Sequence, residues 1–512
     1  MTMKLSDYVM EFLAKKGIQY VFMLPGGGCM HLVDSLGRCD DLTYVACLHE
    51  QAASIAAESY AQNLNKIGAV LVTTGPGGTN TVTGLAAAWI DSTPVLFLSG
   101  QVKRSDRIGE SGVRQMGSQE VDIVPIVTPL TKFAVTVMEP TEIRYVLEKA
   151  YHLAMHGRRG PVWIDIPLDV QAAEIEPEKL RAYEPESETA DAPKAAIDKI
   201  RELLSVAKRP VLLVGNGVKA AGAETALQEL REKTGVPTLL TWKTIDLLDF
   251  DDPLYFGTPG GMGHRYANFV LQNADLLVVL GSRLDSSLTA WNHANFAPRA
   301  KKIIIDIDPA ETDKLDMDIA VRIDGDLAEV LPLLAQEHYE MSTELPAWQT
   351  YCTRMKKKYP IITDEMRAEL DYVDAHVFVD ELSRQLTADD VIVPESSGGA
   401  GEITYQALRV KYGQKVKNAA GLGSMGFGVP YAMGACLANG KRRTVLIDGD
   451  GAFQLNIQEL ATIAQRRLPI KMFLWMNGGY ASIMGTQRNF FEGNYVAADR
   501  ESGLAIPDIG AV

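Results

Sequence analysis

The feature that most constrains the fold is a regular alternation of short apolar runs with helical stretches. In the first third of the chain these runs are rich in β-branched, leucine and aromatic residues, and they read YVFML, TYVACL, GAVLVTT, PVLFLSG and PVWIDIP. Amphipathic or alanine-rich segments separate them. This alternation is typical of parallel sheets covered by helices. We therefore predict an α/β protein made of doubly wound parallel sheets.

Two breaks in the alternation divide the chain. The segment Ala172–Lys194 is rich in charge and proline, which indicates a linker, and a polar helix-like stretch covers residues 337–358. A length of 512 residues agrees with roughly three domains, at about 150 residues each. We predict domains at residues 1–172, 190–336 and 365–512.

Charge and cysteine content exclude several classes of protein. The formal net charge of -15 and the pI near 5.1 oppose docking on nucleic acid or on anionic membranes. No apolar run has the length of a membrane span, and the first residues lack the pattern of a signal peptide. The five cysteines form no C-x-x-C pair, which argues against a disulfide framework or a zinc site. We predict a cytoplasmic protein that binds neither nucleic acid nor membranes.

A single carboxylate marks the junction of a predicted strand and helix. In CLHEQAASIAAESYAQ, residues 47–62, Glu50 opens the helix. An acidic residue there is favourable on helix-dipole grounds alone. However, the small residues that follow allow another surface to approach closely. We therefore expect the Glu50 carboxylate to lie in an interface rather than in water.

Glycine-rich turns follow several of the predicted strands. LPGGG (Leu24–Gly28) and TTGPGGTN (Thr73–Asn80) occupy the position where open α/β sheets bind ligands, although tight turns alone would explain them. In the central block, Gly215 and Gly217 end one strand and Asp306 ends another. This arrangement suits a pyrophosphate and a ribose or flavin hydroxyl, but it is weaker than a full dinucleotide fingerprint.

The third block contains two glycine patterns. GLGSMG (Gly421–Gly426) has the G-x-G-x-x-G spacing, but the preceding KVKNAA is a poor strand, so the dinucleotide interpretation is disfavoured. Further on, Asp450 lies in a glycine loop and Asn477 follows 27 residues later, each at a predicted strand end. Together they suit one hard cation that bridges to a diphosphate. The alternative is an Asp-Gly turn with an unrelated loop asparagine.

Several motifs in order resemble one enzyme family. G-D-G followed by the distant Asn resembles the thiamine diphosphate motif, and HEQAA, TTGPGGTNTVTGLAAAWIDSTP and GLGSMGFGVP resemble the acetohydroxyacid (acetolactate) synthase family. The resemblance covers essentially the whole chain. It implies a pyrimidine-binding, a central and a diphosphate-binding domain, with active sites formed between two chains of a homodimer or homotetramer.

The resemblance also implies residue roles. Glu50 would bond the aminopyrimidine ring and promote loss of the thiazolium C2 proton. Gly423 and Met425 would contact the pyrimidine, although a methionine in such a sequence is more often core packing. Mg²⁺ would be bound by the side chains of Asp450 and Asn477 and by the carbonyl of Gly479. Further cofactor contacts are expected at Pro25, Gly75, Asn80, Ser396, Ser397, Gly449, Gly451 and Ala452, and further catalytic residues are Gly27 and Gln119.

The sequence departs from the family pattern at four places. Met476 replaces the first Asn of an Asn-Asn pair, which leaves the metal ligand intact. PESSGGAGE replaces a Gly-Gln-His-Gln segment, so Ser396 and Ser397 become candidate phosphate donors. Ser118 replaces the Phe of Phe-Gln-Glu, which predicts an enlarged or reshaped pocket for the second substrate. The chain also ends at PDIGAV, earlier than relatives normally end, so a C-terminal segment is expected to be missing.

The central block resembles the flavin-binding synthases of the family. The matching pieces are GNGVKAAG, GTPGGMGH, GSRLDSS and DIDPAE, with Arg283 and Asp306 at the corresponding positions. Asp285-Ser286 stands where the synthases have Asp-Asp. The resemblance implies bound FAD in a structural role, with Gly215 and Gly217 beside it.

The resemblance predicts a carboligase. Pyruvate would lose CO₂, and its two-carbon unit would pass to a second carbonyl; a 2-oxo acid acceptor gives acetolactate and a place in branched-chain amino acid biosynthesis. The alternatives are a ketone or keto-sugar acceptor, a simple decarboxylase that releases aldehyde, and a nucleotide-binding scaffold that has lost catalysis. The joint presence of Glu50, Asp450 and Asn477 argues against the scaffold.

Overall fold

The computed structural model describes residues 2–185, 194–369 and 371–511. The chain forms two compact units, one from the described parts of Met1–Ser187, Val391–Ala400 and Lys417–Val512, the other from those of Glu188–Asp390 and Gly401–Val416. The first and third predicted blocks therefore contribute to the same unit. No helix within the described residues is long and apolar enough to cross a membrane.

The first block contains a six-stranded parallel sheet with helices on both faces, and its first and last strands form a separate antiparallel pair. Its strands are β1 (Met3–Lys4), β2 (Tyr20–Met23), β3 (Thr43–Ala46), β4 (Gly68–Val72), β5 (Val95–Gln101), β6 (Phe133–Thr136), β7 (Val162–Pro167) and β8 (Glu174–Ile175). Its helices are α1 (Leu5–Lys15), α2 (Met30–Arg38), α3 (Glu50–Leu64), α4 (Pro76–Thr79), α5 (Val82–Ile90), α6 (Ile123–Val127), α7 (Ile143–Met155) and α8 (Leu168–Gln171). The six-stranded sheet has the order β3-β2-β4-β5-β7-β6, and all its pairs are parallel.

The apolar runs become the inner strands because both of their faces are covered. Every residue of β4, β5 and β7 is buried, as expected of central strands in a doubly wound sheet. One face packs against α1, α2 and α7, and the other against α3 and α5. The start of the predicted linker Ala172–Lys194 is not irregular chain, because it contains strand β8, which pairs with β1. Its residues 186–193 lie outside the described residues.

The central block is a second parallel sheet. Its strands are β9 (Pro210–Val214), β10 (Thr238–Leu240), β11 (Leu276–Leu280), β12 (Lys301–Asp306) and β13 (Val321–Asp324), in the order β10-β9-β11-β12-β13. Its helices are α9 (Lys194–Val206), α10 (Gly217–Ala220), α11 (Glu224–Thr234), α12 (Arg265–Asn273), α13 (Pro309–Asp313) and α14 (Leu327–Gln336). Further helices, α15 (Leu345–Lys358), α16 (Asp364–Ala368) and α17 (Ala375–Gln385), follow residue 336 and belong to the second unit, although α17 lies in the predicted third domain. All strand pairs of the central sheet are parallel.

The third block contains β14 (Val391–Pro394), β15 (Lys415–Val416), β16 (Thr444–Gly449) and β17 (Ile470–Trp475), and β14, β16 and β17 are parallel neighbours. Its helices are α18 (Gly398–Ala407), α19 (Gly428–Ala438), α20 (Asp450–Phe453), α21 (Leu460–Arg466) and α22 (Ala481–Phe490). Three parallel-sheet blocks confirm the predicted fold class. KVKNAA, just before GLGSMG, contains the two-residue strand β15, and residues 417–420 form no strand.

Helices α3 and α19 pack together inside the first unit. A Cβ atom at Gly434 of α19 would overlap the carbonyl oxygen of Ala56 in α3, so the two main chains are in contact. Ser59 also donates a hydrogen bond to the carbonyl oxygen of Tyr431 at 2.6 Å. The distance between two helices depends on the side chains at their contact, and small residues allow this short separation.

Candidate active site

Glu50 is the first residue of α3, just beyond the carboxyl end of β3. The His49 side chain caps the helix, because its Nδ1 accepts the N–H of Gln51 at 3.0 Å. The Glu50 side chain is buried, with 8% of the residue exposed, and its Oε2 accepts a hydrogen bond from Asn80 Nδ2 at 3.0 Å. The structure therefore brings together two of the predicted cofactor residues, one from the helix junction HEQAA and one from the glycine turn TTGPGGTN.

The two glycine turns of the first block lie side by side. The N–H of Gly28 donates to Thr73 Oγ1 at 3.0 Å, and a Cβ atom at Gly26 would lie 2.5 Å from Thr73 Cβ. Pro25 and Gly27 in the first of these turns are exposed, and a Cβ atom at Gly27 would meet no other atom within 4 Å. Their backbone is therefore accessible to a ligand at this edge of the sheet.

Gly75 requires glycine for two reasons. Its φ is +62°, and a Cβ atom there would overlap the carbonyl oxygen of Gln119. Gln119 itself has a φ of 61° and is exposed. The predicted catalytic residue Gln119 thus lies directly on the turn that leads to Asn80.

Three oxygen-bearing groups converge at the ends of β16 and β17. Asp450 is fully buried, and its Oδ2 accepts the N–H of Gly478 at 2.7 Å. One terminal atom of the Asn477 amide lies 2.8 Å from Asp450 Oδ1 and 2.6 Å from the carbonyl oxygen of Gly479. If that atom is the amide nitrogen, it donates hydrogen bonds to both oxygens. If it is the amide oxygen, the oxygens of Asp450, Asn477 and Gly479 all face one point.

This donor set fits a hard divalent cation. Carboxylate, amide and carbonyl oxygens are the ligands that Mg²⁺ binds in proteins. Burial raises the pKa of Asp450, while backbone N–H groups that include Gly478 oppose the rise. A bound cation would favour the ionised carboxylate. Gly449, Gly451 and Ala452 flank Asp450 at the start of α20 and supply backbone beside it.

The remaining predicted contacts surround the Gly421–Gly426 loop. Ser396 Oγ accepts the N–H of Ala419 at 3.1 Å, and Ser397 lies between Ser396 and the start of α18. Gly423 has a φ of +64°, and a Cβ atom there would lie 3.7 Å from the carbonyl oxygen of Ser396. Met425 is 37% exposed, so its side chain is not part of the core.

The junction at Glu50 adjoins this loop within one chain. Glu459 Oε1 accepts the N–H groups of Leu48 at 2.8 Å and His49 at 3.1 Å. Asn456 Nδ2 lies 3.2 Å from Gln51 Oε1 and 2.7 Å from the carbonyl oxygen of Gly426. The two halves of the predicted site are therefore neighbours in the first unit.

The sequence interpretation gave two buried acids beside the site, Glu395 and Asp448, no role in cofactor binding. Glu395 Oε2 accepts the N–H of Gly428 at 2.6 Å, and a Cβ atom at Gly428 would also overlap Asp448 Oδ2. Burial raises the pKa of Asp448 to about 7 and, together with the facing Asp448, raises that of Glu395 well above its usual value. Glu395 follows directly after β14, a strand-end signal that was available in the sequence.

The predicted flavin residues lie at the carboxyl ends of neighbouring central strands. The N–H of Gly215 donates to the carbonyl of Leu280, and that of Gly217 donates to the carbonyl of Gly281, both at 2.9 Å. Arg283 follows two residues after Gly281. Asp306, at the end of the adjacent strand β12, is buried, and its Oδ1 accepts the N–H of Asp308 at 3.0 Å.

The chain is similar to known proteins over almost its whole length. Residues 3–126, 197–334 and 397–512 match the profiles "Thiamine pyrophosphate enzyme, N-terminal TPP binding domain", "central domain" and "C-terminal TPP binding domain". The chain is 34% identical to acetolactate synthase isozyme 2 large subunit of Escherichia coli, over 96% of this chain and 86% of that protein. It is 34% identical to an acetolactate synthase of Arthrospira platensis, over 97% of this chain and 86% of that protein. It is 36% identical to the acetolactate synthase large subunit of Corynebacterium glutamicum, over 98% of this chain and 79% of that protein.

Similarity of this extent, along almost the whole chain and through all three domain profiles, shows that the protein belongs to the thiamine pyrophosphate enzymes of the acetolactate synthase family.

Proposed function

We propose that this protein is a carboligase that decarboxylates pyruvate and transfers the remaining two-carbon unit to a second carbonyl, as in acetolactate synthesis. The observation that carries the proposal is the similarity to proteins named acetolactate synthase along almost the whole chain. The convergence of Asp450, Asn477 and Gly479 supports it, because these groups fit the cation that would anchor a diphosphate.

Thiamine diphosphate, when bound, supplies the carbon nucleophile for this chemistry. Asp450, Asn477 and Gly479 would hold Mg²⁺, and the Gly421–Gly426 loop would hold the organic part of the cofactor. The Glu50 carboxylate, kept in place by Asn80, would exchange a proton with the pyrimidine ring. Its burial keeps water away from that proton.

A product assay tests this proposal. The purified protein is incubated with ¹³C-labelled pyruvate, thiamine diphosphate, Mg²⁺ and FAD, and the products are identified by NMR and mass spectrometry. We expect CO₂ and acetolactate. Acetaldehyde as the sole organic product would indicate a decarboxylase, and an absence of CO₂ release would contradict the proposal.

A keto-sugar acceptor is the second candidate. Ser118 and Gln119 are exposed, and serine at position 118 leaves more space than the phenylalanine it replaces. The same assay with a panel of ketones and keto-sugars distinguishes the two candidates. Preferred transfer to a keto-sugar over pyruvate would favour the second.

We also propose FAD as a structural cofactor of the central block. The neighbouring loops at Gly215, Gly217 and Arg283, with Asp306 on the next strand, support it. Flavin should accompany the protein through purification in near-stoichiometric amount and be released on denaturation. Protein without flavin that takes up none from added FAD would contradict this part of the proposal.

A cytoplasmic homodimer or homotetramer with shared sites completes the proposal. All five cysteines are free thiols, which suits a reducing compartment. The small residues of α3 suit a close domain contact; within one chain they pack against α19, and Asn456 bonds both Gln51 and the Gly426 carbonyl, so an experiment that mixes two inactive variants decides between a shared and a single-chain site.

A further inference from the structure

We infer that Glu120 is a positioning residue for the acceptor substrate, because its carboxylate fixes the loop Ile108–Gly117 and the adjoining Gln119 at the edge of the site. We call Ile108–Gly117 the acceptor loop. The inference rests on the proposed carboligase function and adds a residue that controls what happens after decarboxylation.

One carboxylate closes both ends of the acceptor loop. Glu120 is 3% exposed, and its Oε1 accepts the N–H of Ile108 at 2.6 Å. Its Oε2 accepts the N–H groups of Met116 and Gly117, both at 3.0 Å. The side-chain amide of Gln115 adds a bond to the Glu120 carbonyl at 3.1 Å. The two ends of a ten-residue loop are therefore tied to a single side chain.

The ionised form of Glu120 is the one that makes these contacts. Burial opposes ionisation, but the three backbone N–H groups and the nearby Arg107 outweigh it, so the pKa of Glu120 lies below its ordinary value. A carboxylate has two accepting oxygens, whereas the amide of glutamine has one. Glutamine at this position therefore releases at least one end of the loop.

The base of the acceptor loop lies close to the Glu50 carboxylate. The Gln119 carbonyl lies against Gly75, at the position that a Cβ atom would occupy. Gly75 and Asn80 are separated by one short helical turn, which spans about 8 Å at the usual rise per residue. Asn80 in turn binds Glu50 at 3.0 Å. Movement at Gln119 is thus transmitted to the edge of the reaction centre.

The loop carries two exposed apolar side chains. Val113 and Met116 are 49% and 54% exposed. Carbon–carbon bond formation requires the acceptor carbonyl to be held in a reactive orientation. When no acceptor is held, the two-carbon unit left after CO₂ loss takes up a proton and departs as acetaldehyde. A loosened acceptor loop should therefore change the products more than the rate of decarboxylation.

The test compares products from pyruvate alone. Wild-type protein, Glu120→Gln and the control Glu110→Gln, an exposed glutamate on the same loop, are loaded with thiamine diphosphate, Mg²⁺ and FAD. Acetolactate, acetaldehyde and CO₂ are quantified by NMR. We expect Glu120→Gln to raise the ratio of acetaldehyde to acetolactate about tenfold, the effect of about 1.4 kcal/mol of lost positioning. CO₂ release should stay within about twofold, since Glu50 is untouched, and Glu110→Gln should match the wild type.

Two outcomes overturn the inference. One is an unchanged product ratio in folded Glu120→Gln; the other is a loss of CO₂ release and of both products in parallel, which marks a general structural role. Glu120→Asp, which keeps the charge, should restore most of the wild-type ratio. If Glu120→Gln does not fold, Gln115→Ala, which removes the amide bond to the Glu120 carbonyl, replaces it and should raise the ratio in the same direction. Failure of the wild type itself to make acetolactate would instead count against the proposed function.

Discussion

The carboxylate of Glu459 accepts the backbone N–H of Leu48 at 2.8 Å, although 411 residues separate them in sequence. The same oxygen accepts the N–H of His49, the residue directly before Glu50. A buried side chain of the third block therefore fixes the chain that delivers the proposed proton-transfer group of the first.

Removal of the Glu459 side chain should slow cofactor activation. Glu459→Ala leaves two backbone N–H groups without their acceptor, and we expect the exchange of the cofactor C2 proton to slow roughly tenfold, equivalent to about 1.4 kcal/mol. Glu459→Gln keeps an accepting oxygen and should retain most of the activity. Proton exchange measured by NMR is the readout, and an unchanged rate in folded Glu459→Ala would contradict the role.

Glu50→Gln should preserve the fold and abolish efficient proton transfer. We expect turnover to fall by roughly 10² to 10⁴, the range typical of a lost acid–base group. Glu224→Gln is the matched control, because Glu224 also opens a helix but is exposed. Equal losses in both variants would favour a helix-dipole role for Glu50, and near-normal C2 proton exchange in Glu50→Gln would exclude it as the activating group.

Asp450→Ala should weaken cofactor binding. The substitution removes the charged member of the proposed Mg²⁺ site, so thiamine diphosphate should bind far more weakly at a fixed Mg²⁺ concentration. Calorimetric titration measures this affinity directly. The exposed Asp41→Ala serves as control and should bind as the wild type does. The same affinity in Asp450→Ala and wild type would argue against the site.

Acidification should destabilise the second unit through His264. Its Nδ1 accepts the N–H of Thr258 and its Nε2 lies 2.8 Å from the Gln406 carbonyl, which defines the neutral ring. Burial lowers the pKa of His264 from 6.5 to about 4. Because the unfolded chain takes up this proton at a higher pH than the folded protein does, the free energy of unfolding is highest above pH 6.5. It falls by up to about 3 kcal/mol as the pH is lowered towards 4.

Thermal melting at pH 7.5 and pH 5 checks this prediction. Between pH 7.5 and pH 5 the melting temperature should fall more in the wild type than in His264→Gln, because glutamine cannot take up the proton. His338→Gln, which alters an exposed histidine, should behave as the wild type does. An identical pH dependence in all three proteins would refute the assignment.

Mixing two inactive variants should restore activity if the sites are shared. Glu50→Gln and Asp450→Ala chains are combined under conditions that allow subunit exchange. In a mixed dimer with shared sites, one site carries both lesions and the other carries none, so activity returns. If each chain builds its own site, every site keeps one lesion and the mixture remains inactive, which would overturn the shared-site proposal.

Residues at strand ends were predictable from sequence, because the topology of a parallel sheet fixes where they lie. Glu50 and Asn80 follow strands of one sheet, as Asp450 and Asn477 follow strands of another, and each pair meets in the structure. The apolar runs likewise predicted the strands, since burial on both faces requires continuous apolar residues.

Residues that act across blocks were not predictable in the same way. Glu459 lies in a helical segment after the metal loop, and nothing in its local pattern indicates that it bonds Leu48. Glu120 lies in irregular chain, and its three contacts depend on how the acceptor loop folds back. Such contacts require the packing of distant segments, which hydrophobic periodicity does not encode.

The main-chain contact of Gly434 with Ala56 has a consequence for substitutions. Because α3 and α19 meet backbone to backbone, the separation of these two helices is set by small residues and not by long side chains. The acceptor loop, by contrast, is tied to the scaffold mainly through one glutamate. Exchange of exposed residues on the acceptor loop would therefore alter the proposed acceptor site and leave the spacing of α3 and α19 unchanged.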